Sequence, residues 1–76
     1  MAGVETAVAK ALARRGLPRP EERRRIRERA QLSQGDIANA LGVDWSAVSR
    51  WEAGLREPTG ANLLSYADLL DRLARL

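Results

Sequence analysis

The chain of 76 residues contains no cysteine and no histidine, and only two tryptophans and one tyrosine as aromatic residues. Without cysteine, disulfides and thiolate metal sites are excluded. Without histidine, most nucleophile–base pairs and nearly all zinc or transition-metal sites are excluded too. An enzyme would have to be built from carboxylates, serines, one lysine and one tyrosine. We therefore expect no enzymatic activity, no metal, no cofactor and no small-molecule ligand.

Long apolar runs and strand patterns are also missing. The longest apolar runs are a few residues, far below the roughly 20 residues that cross a bilayer. Valines are few, phenylalanine is absent, and no segment alternates cleanly between apolar and polar residues. The sequence therefore predicts an all-α protein of the cytoplasm, with no membrane partner.

Positive charge is concentrated in one part of the chain. The net charge is +3, but eight arginines and three glutamates lie between Arg14 and Arg29, so this stretch alone carries +5. Twelve of the thirteen cations are arginines, whose planar guanidinium suits phosphates and guanine edges. Two interpretations remain open: a surface that binds nucleic acid, or a solvated helix face.

Apolar residues at three- and four-residue steps predict five helices. The first covers residues 3–15 and ends at Gly16; its apolar stripe consists of Val4, Ala7, Val8, Ala11 and Leu12. The turn at residues 16–20 is expected to separate an accessory helix, residues 1–17, from a four-helix unit, residues 18–76. The second helix opens at Pro20 and is predicted to end near residues 31–32, with Ile26, Ala30 and the stem of Arg23 facing inward.

The other three helices have clear boundary signals. Ser33 is a good N-cap for a helix over residues 34–41, with Asp36 in the capping-box position, and Gly42 ends it. Asp44 is placed to cap a fourth helix, residues 45–53, which stops at Gly54. Both aspartates are therefore interpreted as helix-start residues. The fifth helix, about residues 60–75, has an apolar face, predicted to consist of Leu63, Ala67, Leu70 and Leu73, with Leu64 and Tyr66 beside it.

Residues 32–54 carry the functional signal. Two short helices meet at a turn where Gly42 supplies the positive φ that a sharp turn needs. The small Ala38 allows the second helix to pack closely, and apolar residues fall at the spacings that bury both helices: Ile37, Leu41, Val43, Val48 and Trp51. This arrangement leaves the outer face of the second helix free to enter a DNA major groove.

These residues resemble the helix-turn-helix family of Cro and the lambda-type repressors, often called the Xre type. The matching positions are Leu32-Ser33-Gln34, Ile37-Ala38, Leu41-Gly42-Val43, Val48-Ser49-Arg50-Trp51-Glu52, Gly54 and Pro58. The resemblance covers about Glu21 to Leu73. It implies a five-helix lambda-repressor-like DNA-binding domain, with the helix-turn-helix at about residues 33–54 and one extra N-terminal helix.

The resemblance also implies roles for single residues. Base contacts are implied for the outer face of the second motif helix: Trp45, Ser46, Ser49 and Arg50. Arg50 is the best candidate for reading a guanine, whereas Trp45 could instead brace the start of the helix. Gln34 is implied as a contact to the DNA backbone. By charge and position, further backbone candidates are Arg19, Arg23, Arg24 and Arg56.

Four residues are expected to be structural. Gly42 forms the turn and Trp51 lies in the core. The resemblance pairs Glu52 with Arg27 in a partly buried ion pair.

The function implied is that of a sequence-specific regulator that binds a double-stranded, pseudo-palindromic DNA operator. It would be a phage Cro-like, prophage or bacterial repressor acting by operator occupancy, in the bacterial cytoplasm or nucleoid or in the cytoplasm of a phage's host. A homodimer is expected, formed through the first or the last helix, although the first helix could instead pack on its own domain. The alternative function is an antitoxin or a helical protein-interaction module on the same scaffold.

Overall fold

The computed structural model describes residues 2–76, which form five helices and, within that range, no strand. The helices are α1 (Ala2–Gly16), α2 (Pro20–Arg29), α3 (Gln34–Leu41), α4 (Trp45–Ala53) and α5 (Gly60–Ala74). The all-α class and the five helices are as predicted. Met1, where the predicted accessory segment begins, lies outside the described residues.

The end of α2 was predicted two to three residues too late. Gln31 adopts a left-handed φ of 61°, and the amides of Gln31 and Leu32 turn back to the carbonyls of Glu28 and Arg27, at 2.9 and 3.2 Å. These two bonds form a Schellman motif, which terminates a helix. Glycine, the usual residue at this position, is replaced by glutamine here, so the sequence carried no stop signal.

The ends of α3 follow local capping chemistry. Ser33 and Asp36 form a reciprocal capping box: the Asp36 amide donates to Ser33 Oγ at 3.0 Å, and the Ser33 amide donates to Asp36 Oδ2 at 2.8 Å. Gly42 closes the helix in the left-handed region, with φ 68°. Asp44 occupies the N-cap position of α4 in an extended conformation, but its side chain makes no capping hydrogen bond. That part of the expectation for Asp44 was wrong.

The core lies between α2, α3, α4 and α5. Its buried apolar residues are Ile26, Ile37, Ala38, Val48, Trp51, Leu63, Tyr66 and Leu70. Trp51 and Tyr66 contact each other with ring centroids 4.8 Å apart and tilted by 40°, an arrangement favourable for aromatic pairs. Tyr66 therefore lies at the centre of the core rather than at the side of the apolar face, while Ala67 and Leu73 are only half-buried.

Helix α1 lies outside this core. Its main neighbour is α5, and a shallow groove between the two helices is lined on the α1 side by Leu12, Ala13 and Gly16. None of the residues described in α1 is buried. Val4, Val8 and Leu12 are 57%, 52% and 59% exposed. Helix α1 thus contacts its own domain, but its apolar stripe stays largely uncovered.

Candidate nucleic-acid interface

A tight turn orients α4 against α3. The amides of Gly42 and Val43 donate to the carbonyls of Asn39 and Ala38, at 3.4 and 3.0 Å. Ala38 is 3% exposed, so a small side chain lies at this crossing, as the sequence indicated. The turn directs Val48 and Trp51 of α4 into the core. The opposite side of α4 is left facing solvent.

That solvent face carries the four residues implied as base contacts. Positions 45, 46, 49 and 50 lie on one side of a helix. Trp45 is 61% exposed and Arg50 is exposed, whereas Ser46 and Ser49 are half-buried. Because most of the Trp45 side chain is open to solvent, it does not brace the start of α4 by burial. The structure thus brings one large apolar group, two hydroxyls and one guanidinium together on an uncovered surface.

A buried ion pair fixes the inner side of α4 to α2. Arg27 Nε and Nη2 donate to the two carboxylate oxygens of Glu52, at 2.6 and 2.9 Å. The two side chains are only 11% and 4% exposed. Arg27 Nη1 also donates to the carbonyl of Leu32, at 2.9 Å. The pair implied by the resemblance is therefore present, and it is bidentate, which is the strong geometry for such a pair.

Gln34 joins the same network. Its amide Nε2 donates to Glu52 Oε1 at 3.1 Å, which ties the first turn of α3 to the inner side of α4. Gln34 is half-buried at the first position of α3. The amides of Ser33 and Asp36 are used in the capping box. One side-chain N–H of Gln34 and the backbone amides of Gln34 and Gly35 are thus the groups left for a phosphate. The sequence gave no signal for the bond to Glu52.

The network sets the protonation of Glu52. Burial is the largest single effect and raises the pKa of Glu52, but the hydrogen bonds from Arg27 and Gln34 and the charges of Arg27 and Arg24 together outweigh it. The pKa of Glu52 is therefore held below its ordinary value of 4.5. The same contact raises the pKa of Arg27 above its ordinary value. Both groups are charged at neutral pH.

We expect the protein to lose stability in acid for this reason. A depressed carboxylate pKa contributes stability that is fully present above the unfolded value and is lost as the pH falls through the folded value. Asp36 acts in the same direction, because its hydrogen bonds with the Ser33 backbone and side chain lower its pKa from 3.8. Urea unfolding between pH 7 and pH 2.5 should show a free energy of unfolding that is flat above about pH 5 and decreases below it. Asp36→Asn should retain the part of this decrease that is due to Glu52. A free energy of unfolding that does not decrease in acid would contradict the depressed pKa of Glu52.

Arg23 requires a correction, because its side chain is not on the surface. It is 3% exposed and donates to the carbonyls of Pro18 and Trp51, at 2.7 and 2.9 Å, and to Glu57 Oε2 at 2.8 Å. Its guanidinium thus holds together the turn before α2, the end of α4 and the following loop. A phosphate contact would require breaking these bonds. The signal was the three-residue spacing from Arg23 to the buried Ile26, which places both on the inner face of α2.

The other backbone candidates remain at the surface. Arg19 and Arg24 are exposed and pair with Glu21 and Glu28, at 3.2 and 3.3 Å. Such exposed pairs contribute about 0–1 kcal/mol, so a phosphate can compete for the arginine. Within residues 2–76, Arg50 and Arg56 are exposed and form no ion pair. Arg50 is on the outer face of α4, and Arg56 is in the loop that follows α4.

The described part of the chain holds no cluster of three acidic residues placed to bind a metal ion. Over the same residues, no helix is long and apolar enough to cross a membrane.

Two helices joined by a glycine turn, with the second exposing a polar and cationic face, define a helix-turn-helix protein. Residues 24–74 match the helix-turn-helix family model of the Xre and lambda-repressor type, and the chain belongs to this family. It is a DNA-binding helix-turn-helix regulator. Comparison with curated proteins and with solved structures gave no match.

Proposed function

We propose that the protein is a sequence-specific transcriptional repressor that inserts α4 into the major groove of a double-stranded DNA operator and acts by occupying it. The observation that carries this proposal is the asymmetry of α4. Its inner side is fixed by Val48, Trp51 and the bond between Glu52 and Arg27. Its outer side presents Arg50 and Trp45 to solvent. A rigid, uncovered, cationic helix face is what reading base edges requires.

The proposed contacts divide into two classes. Arg50, Trp45, Ser46 and Ser49 read bases, with Arg50 donating two hydrogen bonds to a guanine and Trp45 packing on a thymine methyl or a sugar. Gln34, Arg56, Arg24 and Arg19 contact phosphates, which fix the register on the duplex. Arg23 is left out of this second class, because its donors are engaged inside the protein.

On this proposal residues 18–76 are the DNA-binding domain and residues 1–17 are an accessory segment. Regulation by occupancy needs no ligand site, since a bound domain blocks access to a promoter by its volume alone. This is the mode of a phage Cro-like or small bacterial repressor, which would act in the bacterial cytoplasm on a pseudo-palindromic operator as a dimer. The alternative is an antitoxin or interaction module, which the uncovered apolar stripe of α1 supports.

Arg50→Ala tests the proposal most directly. An operator would first be selected from a random duplex library with the wild-type protein, and both proteins would then be titrated with it. We expect Arg50→Ala to weaken binding by about 1–3 kcal/mol, roughly 5- to 150-fold, and to abolish the preference at one base pair. Arg56→Ala should instead weaken all duplexes alike and reduce the slope of log K against log salt by about 1.

Arg25→Ala is the matched control for lost charge. Arg25 is exposed and pairs with Glu22 on α2, and it has no proposed contact with DNA. The Arg25→Ala protein should retain the base preference of the wild type. If no sequence is enriched, or if binding is weak, salt-sensitive and indifferent to Arg50, the helix-turn-helix is a scaffold and the interaction-module alternative takes its place.

A further inference from the structure

We infer that the apolar stripe of α1 is the surface on which two copies of this chain dimerise, with the two α1 helices antiparallel. The stripe consists of Val4, Val8 and Leu12, which are spaced four residues apart and are each more than half exposed. Ala7 and Ala11 lie along one side of it and are also exposed. Residues four apart form a continuous ridge on a helix, which is the element that packs into the groove of a second helix.

The accessible surface of the chain is large enough to leave an interface with a second copy uncovered. The accessible surface is 5175 Å² for a mass of 8.4 kDa. A compact monomer of that mass exposes about 4,600 Å². The excess of about 550 Å² is close to the roughly 600 Å² per chain that the smallest stable interfaces bury. Helix α1 has no buried residue among those described, and it supplies three of the six large apolar side chains that are exposed: Val4, Val8 and Leu12.

The pattern of the stripe favours a second copy over another partner. A two-fold interface requires that residue i of one chain contacts residue j of the other and the reverse. With the two-fold axis near Val8, the stripe satisfies this requirement. Val8 faces Val8 of the second copy, and Val4 faces Leu12. The stripe is therefore complementary to itself in the antiparallel direction.

Charge selects the same direction. Glu5 is in the first turn of α1, and Arg14 and Arg15 are in the last turn. Antiparallel pairing places the acidic turn of each helix along the basic end of the other. It also opposes the two helix dipoles, whereas a parallel pair would align like charges and like dipoles. A second copy therefore places opposite charge beside both ends of α1.

The dimer itself does not depend on the proposed function; only its effect on DNA affinity rests on that proposal. A single helix-turn-helix buries too little surface for high affinity, and dimers gain by binding two half-sites. A dimer through α1 joins the two domains on the side of α5, where α1 packs. It leaves the outer face of α4 in each copy free.

Sedimentation of the full chain, with a matched pair of lysine variants, tests the surface. Val8→Lys places a charge in the middle of the stripe, opposite its own copy. Ala9→Lys adds the same charge at the next residue, which is exposed and outside the stripe. We expect a dimer for the wild type and for Ala9→Lys. Val8→Lys should weaken the dimer at least tenfold without lowering the melting temperature of the dilute monomer, because Val8 is not part of the core.

The outcomes separate this inference from the proposed function. A wild-type chain that is monomeric at every accessible concentration, or a Val8→Lys protein that dimerises as well as the wild type, overturns the α1 surface. In the first case the stripe binds a different protein, and in the second case the dimer forms through α5. DNA is tested separately: Val8→Lys should retain affinity for one half-site and lose only the gain from two. If the wild type is a dimer broken by Val8→Lys but no variant binds a duplex, the inference stands and the proposed function fails.

Discussion

Trp51→Ala should remove a large part of the free energy of unfolding. Trp51 is 4% exposed and contacts Tyr66 in the middle of the core. Truncating such a side chain costs about 3–5 kcal/mol, because the contacts are lost and the cavity closes only partly. A domain of this size has a total stability of about 4–11 kcal/mol. Urea or thermal unfolding followed by far-ultraviolet circular dichroism would measure the loss.

Trp45→Ala is the internal control for that measurement. It removes the same side chain from the same helix, but from a residue that is 61% exposed. Surface substitutions usually change stability by less than about 0.5 kcal/mol. Trp45→Ala should therefore unfold like the wild type and affect only DNA binding. Equal destabilisation by the two variants would contradict the assignment of Trp51 to the core and Trp45 to the outer face.

Arg27→Met should have a similarly large effect, for an electrostatic reason. It would leave the Glu52 carboxylate, which is 4% exposed, with only the single hydrogen bond from Gln34. Removing one partner of a buried pair costs about 3–5 kcal/mol, since an uncompensated charge stays inside the protein. The free energy of unfolding in urea at pH 7 would show it. DNA binding by Arg27→Met should weaken together with its stability, because Glu52 fixes the inner side of α4.

A double variant separates the ion pair from simple packing. Replacing both members, as Arg27→Met with Glu52→Leu, leaves no unpaired charge, and such exchanges are often nearly neutral. The double variant should therefore be clearly more stable than Arg27→Met alone. If the two substitutions instead add, the pair contributes through packing and the buried charge is not the cause.

Two inward-facing arginines also change the meaning of the basic run between Arg14 and Arg29. By count it carries a surplus of positive charge, but Arg23 and Arg27 are turned inward and bonded to Glu57 and Glu52. These two arginines stabilise the orientation of α4 and of the loop after it. Over the described residues, the unpaired cations on α4 and in the loop after it, Arg50 and Arg56, lie outside the run. The charge run was therefore only partly a signal for DNA.

Helix boundaries were predictable wherever they depend on neighbouring residues. Ser33 with Asp36, and Gly42, set the ends of α3 as expected, because caps involve atoms only a few residues apart. The end of α2 was not predictable in this way. Gln31 takes the left-handed conformation without the glycine that usually marks it. The end of the helix is visible only in the hydrogen bonds from Gln31 and Leu32 back to Glu28 and Arg27.

The sequence by itself determined the helix-turn-helix, most of its core and the set of residues on the outer face of α4. All of these follow from helical periodicity and capping, which act over short stretches of chain. Ile37, Val48 and Trp51 are buried as predicted, whereas Leu41 and Val43 are only partly buried. The spacing from Ile26 predicted that the stem of Arg23 faces inward, but only the tertiary structure decided that its charged end is buried as well. Arg23, Arg24 and Arg25 are consecutive, yet Arg23 alone is inside, because Trp51 and Glu57 come from distant parts of the chain to meet it. Helix α1 shows the same limit: its apolar stripe is evident in the sequence, but only the tertiary structure shows that the stripe stays more than half exposed, with Leu12 also at the edge of the groove to α5.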